Sequence, residues 1–232
     1  MWGFVDCTRY YMTGDRPTVV LFQASLVVDT GEKVALLVRP GQGKSTIIRL
    51  LAGLDRPDSG TVLRDAGGWP LGYSGWFQAD MTGEANVRSL AQVADVDPLD
   101  LAAFCHDFAE LGDMYYRPLK LYSPTMKARL AMAASLGIPA RTYLADDKIA
   151  TGDEAFRRKT TEVLTARLAE GCGLIFVGSN PRQAKDVCDR FYVVSEGEIV
   201  PSDGFDHATE LLAGINDPDA DESAEVPVFD LA

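Results

Sequence analysis

Arg39-Pro40-Gly41-Gln42-Gly43-Lys44-Ser45-Thr46 is the segment of this chain best suited to chemistry, because its order of residue types suits a phosphate. Glycines let a backbone come close to an anion, the N–H groups of a turn converge on it, and a helix beginning at Lys44 adds its dipole. A lysine at that point reaches the outer phosphates, and the hydroxyl after it can ligate Mg²⁺. The full eight-residue form of such a loop carries a glycine where this chain has Val38. A β-branched residue does not readily take a positive φ. Either the strand runs one residue further or Pro40-Gly41 makes the turn. A second candidate is Tyr143-Leu144-Ala145-Asp146-Asp147, an apolar run ending in two carboxylates. Placed at the end of a neighbouring strand, one carboxylate supports Mg²⁺ and the next orients water.

These residues need a scaffold. Apolar stretches near 17–28, 33–38, 142–145, 174–178 and 190–194, each bounded by Gly, Pro or charge, are expected strands. Helical patterns fall near 44–53, 85–94, 98–111, 125–136, 153–169 and 181–188. Strand and helix in alternation imply an α/β fold whose parallel sheet is covered on both faces. Residues 72–138 break the rhythm and are expected to form a helical insertion.

The composition bounds the function. The chain of 232 residues carries 34 acidic and 22 basic side chains, a net charge of −12. That balance argues against nucleic acid as a partner. Six acids and no base lie in 217–232, so 216–232 is expected to be a solvated, unstructured tail behind a domain of residues 1–215. Cys7, Cys105, Cys172 and Cys188 form no CxxC pair and are expected as reduced thiols. The start of the chain lacks the pattern of a signal peptide, and no apolar run approaches the ~18 residues of a membrane span. Any membrane role is expected through a partner.

Further stretches complete the pattern: Gly75-Trp76-Phe77-Gln78, followed by Met81-Thr82-Gly83 and Asn86-Val87-Arg88; Tyr122-Ser123, followed by Met126-Lys127-Ala128-Arg129-Leu130-Ala131; Ile149-Ala150-Thr151-Gly152-Asp153, followed by Phe156-Arg157-Arg158-Lys159; and Val177-Gly178-Ser179-Asn180. In this order the chain resembles the ATP-binding subunit of ABC transporters, and more closely the branch that exports capsular polysaccharide and O-antigen. The resemblance spans roughly residues 5–213. It implies a P-loop ATPase fold with a mainly parallel core sheet, an antiparallel β part at the N-terminus and a helical subdomain of about 72–138. It implies ATP and Mg²⁺ as cofactors. Tyr11 would stack on adenine, and Gly41, Gln42, Gly43, Lys44, Ser45 and Thr46 would hold the phosphates. Ser45, Gln78 and Asp146 would surround Mg²⁺, with Gln78 also sensing the γ-phosphate. Asp147 takes the general-base position and Asn180 that of a switch histidine. Ser123 and Thr125 would meet the γ-phosphate of an opposite subunit, and Asp153 would lie at the dimer contact. The implied partners are an integral-membrane permease and a second ATP-binding subunit, identical or not, with the protein at the cytoplasmic face of the inner membrane. Without the resemblance, Tyr11 also suits a packed strand edge and Gln78 an ordinary loop amide.

Four positions depart from the family pattern. Val38 stands for glycine, Asp147 for glutamate, Asn180 for histidine, and Pro124-Thr125 sits where Ser-Gly-Gly or Ser-Ser-Gly is expected. Asp147 is one methylene short, about 1.5 Å of reach, and a general base must come within about 3 Å of its proton or act through water. Pro124 removes one N–H from the helix start and Thr125 adds bulk. Two readings follow: the motor subunit of a polysaccharide exporter with impaired hydrolysis, or a degenerate nucleotide-binding subunit that pairs with a competent one or regulates the exporter. A kinase with the same loop does not account for the helical insertion, the Ser123 helix start and the Gln78 loop together.

Overall fold

The computed structural model describes residues 1–13, 16–147 and 152–214. The acidic tail and the Ile149-Ala150-Thr151 stretch lie outside the described residues. Among the described residues the strands form two sheets. Strand β1 (Trp2–Thr13) pairs antiparallel with β2 (Arg16–Val28) and with β4 (Ser59–Leu63), giving the order β2-β1-β4. The second sheet adds β3 (Lys33–Val38), β5 (Gly68–Pro70), β6 (Thr142–Asp146), β7 (Gly173–Gly178), β8 (Arg190–Ser195) and β9 (Glu198–Pro201) in the order β5-β6-β7-β3-β8-β9. Its neighbours run parallel except β9, which pairs antiparallel with β8.

Strand β3 shows why the sheet is central. Val34, Leu36 and Val38 point into one core and Ala35 and Leu37 into the other, and all five are fully buried. A run that is apolar at every position has no polar face to give to water, so both faces must be covered. On one side lie helix α1 (Lys44–Leu51), through Ile47, Leu50 and Leu51, and the antiparallel sheet, through Trp2, Phe4 and Leu21. On the other lie α2 (Gly83–Val93), α3 (Pro98–Ala109), α4 (Pro124–Gly137) and α5 (Glu154–Ala169), through Val87, Leu101, Leu130 and Phe156. Burying each such side chain contributes about 1.5–3 kcal/mol before entropy is subtracted. The chain closes with α6 (Pro181–Ala184) and α7 (Phe205–Gly214).

The expected elements lie near their predicted ranges, with one shortening: the pattern over 181–188 forms helix only at Pro181–Ala184. The strand ending at Val38 settles the entry of the glycine turn, since the valine stays in the ladder opposite Val194. Strands β1, β4, β5 and β9 and helix α7 give no separate signal in the sequence. Strand β1, for example, is broken by irregular register between Phe4 and Tyr10, with Asp6 at φ 46°.

Candidate functional site

The parallel order β6-β7-β3 brings three strand ends side by side, and the site grows from them. Gly41 and Gly43 have φ of 85° and 87°, a region other residues enter at a cost. A Cβ on Gly43 would lie 2.4 Å from Val20 Cγ1. Gly43 is the N-cap of α1 and no side chain caps that helix, so the N–H groups of its first turn face the loop. Ser45 is exposed on that turn and Thr46 is buried beneath it.

Lys44 is ion-paired with Asp147 and donates to Ser179 Oγ at 2.8 Å. Ser179 in turn donates from its N–H to Asp147 Oδ1 (3.0 Å) and from Oγ to Asp147 Oδ2 (3.0 Å). Burial pushes the Asp147 carboxyl up. The hydrogen bonds from Lys44 and Ser179, with the Lys44 charge, outweigh it and hold the group below the usual carboxylate range. Asp146 ends β6 beside this group, half-buried. Asn180 lies one residue beyond Ser179 but faces the next helix instead. Its Oδ1 accepts from Arg182 N at 3.1 Å and caps α6.

Tyr11 belongs to a second group joined to the first through Thr46. Its hydroxyl donates to Asp55 Oδ2 (3.1 Å) and accepts from Thr46 Oγ1 (3.2 Å). The Arg9 guanidinium covers one ring face at 4.5 Å from the centroid and is ion-paired with Asp55 and Asp58. The ring remains 37% exposed. Burial raises Asp55, but the Arg56 N–H, the Tyr11 hydroxyl, Arg9 and Arg49 together lower it below the ordinary carboxylate range. Gln42 lies in the loop itself, and its Oε1 is buried without a hydrogen-bond partner.

Gln78 is exposed on the loop before α2, and the structure groups it with Asn86, not with Lys44. Asn86 is 3% exposed. Its Oδ1 accepts from Gln78 N (2.7 Å), and its Nδ2 donates to the carbonyls of Gln78, Met81 and Thr82 at 2.9–3.2 Å. Ser123 and Thr125 are exposed at the start of α4, where Ser123 Oγ accepts from Met126 N. Asp153 caps α5 by accepting from Phe156 N at 2.9 Å and lies 3.7 Å from Arg129 of α4. Arg129 also pairs with Glu110 and stacks over Phe156, tying α4 to α5.

Sequence reasoning quotes Ser179 and Asn86 without giving either a role, and misses Asp55. A small polar residue just after a buried strand is a usable signal for Ser179. Asn86 stands in the same quoted stretch as Gln78 but carries no signal for its role, and Asp55 acts on groups that no motif links to it. The histidines stand apart from these groups, His106 packed against Tyr115 and His207 accepting from Asp203 N. Burial raises the thiols of Cys7 (to about 11), Cys105 and Cys188 (each to about 12), which keeps them protonated.

The arrangement is a glycine turn, an uncapped helix start, a lysine, hydroxyls and paired carboxylates at the ends of parallel strands. It fits a magnesium–nucleoside polyphosphate. Residues 21–150 match the family described as ABC transporter. The chain belongs to the ABC transporter family. This ABC protein is 39% identical to the ATP-binding protein BexA of Haemophilus influenzae, over 87% of the chain and 93% of the relative. It is 37% identical to the capsule polysaccharide export ATP-binding protein CtrD of Neisseria meningitidis serogroup B, over 88% and 94%. Among solved structures it resembles a dimeric ATP-binding cassette in a post-hydrolysis state bound to ADP and Pi, with TM-score 0.73, 20% identity, and 86% and 96% of the two chains covered. The fold is that of an ABC ATPase cassette, with nucleotide binding and ATP hydrolysis as the general chemistry of the family. Among the described residues no helix is long and apolar enough to cross a membrane.

Proposed function

We propose that this ABC protein is the ATP-binding subunit of a polysaccharide exporter, coupling ATP binding and hydrolysis to a membrane permease. The observation that carries the reading is similarity over 88–90% of the chain, at 34–37% identity, to a capsule polysaccharide export ATP-binding protein and a polysialic acid transport ATP-binding protein. Residues 1–215 act as one ATP-binding domain, with a helical subdomain over about 72–138 and an acidic tail behind it. Gly41, Gln42, Gly43, Lys44 and Thr46 hold the phosphates. Ser45, Asp146 and Gln78 would hold Mg²⁺, which would supply charge neutralisation to the phosphates. Tyr11 offers its open face to the adenine. Asp147 orients and deprotonates the attacking water. Two subunits, identical or not, pair head to tail, so that Ser123, Thr125 and Asp153 of one complete the site of the other. The protein sits at the cytoplasmic face of the inner membrane through the permease.

Turnover is slow in this reading. Asp147 reaches less far than a glutamate, Asn180 is committed to capping α6, and Pro124 withholds an N–H at the start of α4. The deciding experiment is calorimetric titration of MgATP against wild type and Lys44→Ala. Binding by the wild type and its loss in the variant support the assignment; equal binding by both removes the glycine turn from it.

A further inference from the structure

We infer that Arg9 is a positioning residue for the nucleobase: it backs the Tyr11 ring and, through that ring, sets how tightly the base half of a nucleotide is held. The inference rests on the proposed function, in which the open face of Tyr11 takes the adenine.

Arg9 and Tyr11 stand two apart on β1, so their side chains share a face of the strand. The guanidinium lies over the ring at 4.5 Å from its centroid, within cation–π range. It is held there. Nη1 donates to Asp58 Oδ1 at 3.0 Å and Nη2 to Asp55 Oδ2 at 3.4 Å. Asp58 is itself fixed, its Oδ2 accepting from Tyr10 N at 2.9 Å. The far end of the ring is held by Asp55 and Thr46, which use the hydroxyl as donor and as acceptor. Thr46 belongs to the first turn of α1, so the ring is tied to the phosphate turn as well. Place, tilt and covered face of the ring are thus fixed by the protein itself, which leaves one face for a stacking ligand.

The charge adds to the effect. A cation against one face draws π density toward itself, which lessens repulsion at the opposite face when an electron-rich base stacks there. The triphosphate gains little from this, because both outer nitrogens of Arg9 are taken by Asp55 and Asp58.

Calorimetric titration with MgATP and with magnesium tripolyphosphate, which has the phosphates and no base, reads the two halves separately. In Arg9→Met, which keeps an apolar stem against the ring and loses the charge, the ratio of MgATP to tripolyphosphate affinity should fall about fivefold. Arg9→Lys, which keeps the cation, should recover most of it. If Arg9→Met disturbs folding, Arg9→Gln keeps a planar hydrogen-bonding head without the charge and should show the same fall. In a Tyr11→Leu background, removing the Arg9 charge should change the ratio no further. An unchanged ratio in Arg9→Met, a fall that lysine does not recover, or an equal fall in the Tyr11→Leu background overturns the inference. Lys44→Ala in parallel separates the two claims: undiminished binding of both ligands by that variant sinks the ATP-site reading itself, whereas their loss beside an unchanged ratio in Arg9→Met sinks only the role of Arg9.

Discussion

Asp147 and Asp55 are carboxylates held low by their neighbours, yet they serve different ends. In the proposed function Asp147 is a general base one methylene short, so Asp147→Glu should raise phosphate release in a coupled assay several-fold by restoring about 1.5 Å of reach. An unchanged rate places the limit elsewhere. Asp55 is structural. It ties Arg9, Arg49 and the Tyr11 hydroxyl together beside the phosphate turn. Its folded-state carboxyl is depressed, so its stabilisation is present above the unfolded pKa of about 4 and is lost as pH falls through the lower folded value. Asp55→Asn should reduce unfolding free energy at pH 7 by on the order of 1 kcal/mol. Denaturant titrations of wild type and variant should converge below about pH 4; a constant gap down to pH 3 excludes the charge as the cause.

At the scale of elements, the loops that carry chemistry are pinned by side chains that do none. Asn86, on the first turn of α2, holds Gln78, Met81 and Thr82 through both ends of its amide. Removing it leaves the Gln78 N–H without its acceptor and takes one donor from three carbonyls that keep the N–H groups of Met81, Leu119 and Asn86, so Asn86→Ala should cost about 1–3 kcal/mol in thermal or denaturant unfolding. Asn86→Asp should do no better, since it keeps the acceptor and loses every donor. A loss under about 0.5 kcal/mol, the low end for a single hydrogen bond, would mean that water replaces the amide. Helix α4 shows the opposite economy. Ser123 and Pro124 make a sound N-cap and N1 pair, so the helix starts well even though the proposed function would have it offer one N–H fewer to phosphate.

For the whole molecule, the expected route to the membrane is the permease. The net charge of −12 is repelled by anionic lipid headgroups. Trp76, 39% exposed, stacks near Trp69 and meets Tyr73 edge-on beside Gln78, the kind of aromatic surface enriched at interface cores. Cell fractionation without the permease should leave the protein in the supernatant. With it, charge reversal at exposed positions of 79–100 should abolish pelleting without lowering the melting temperature. Pelleting in the absence of any permease refutes the docking route.

Local features were legible in the order of residues. The glycine turn into α1, the helix start at Ser123 and the buried strands could be read because a turn, a cap or an apolar run acts over a few neighbouring residues. Sheet order is not local. Only folding joined Lys44, Asp147 and Ser179, which follow β3, β6 and β7, over 103 and 135 residues of chain. It also decided between Ser179 and Asn180. Where β7 ends determines which of two adjacent polar side chains faces the carboxylate and which turns to cap the next helix, because successive side chains on extended backbone point to opposite sides.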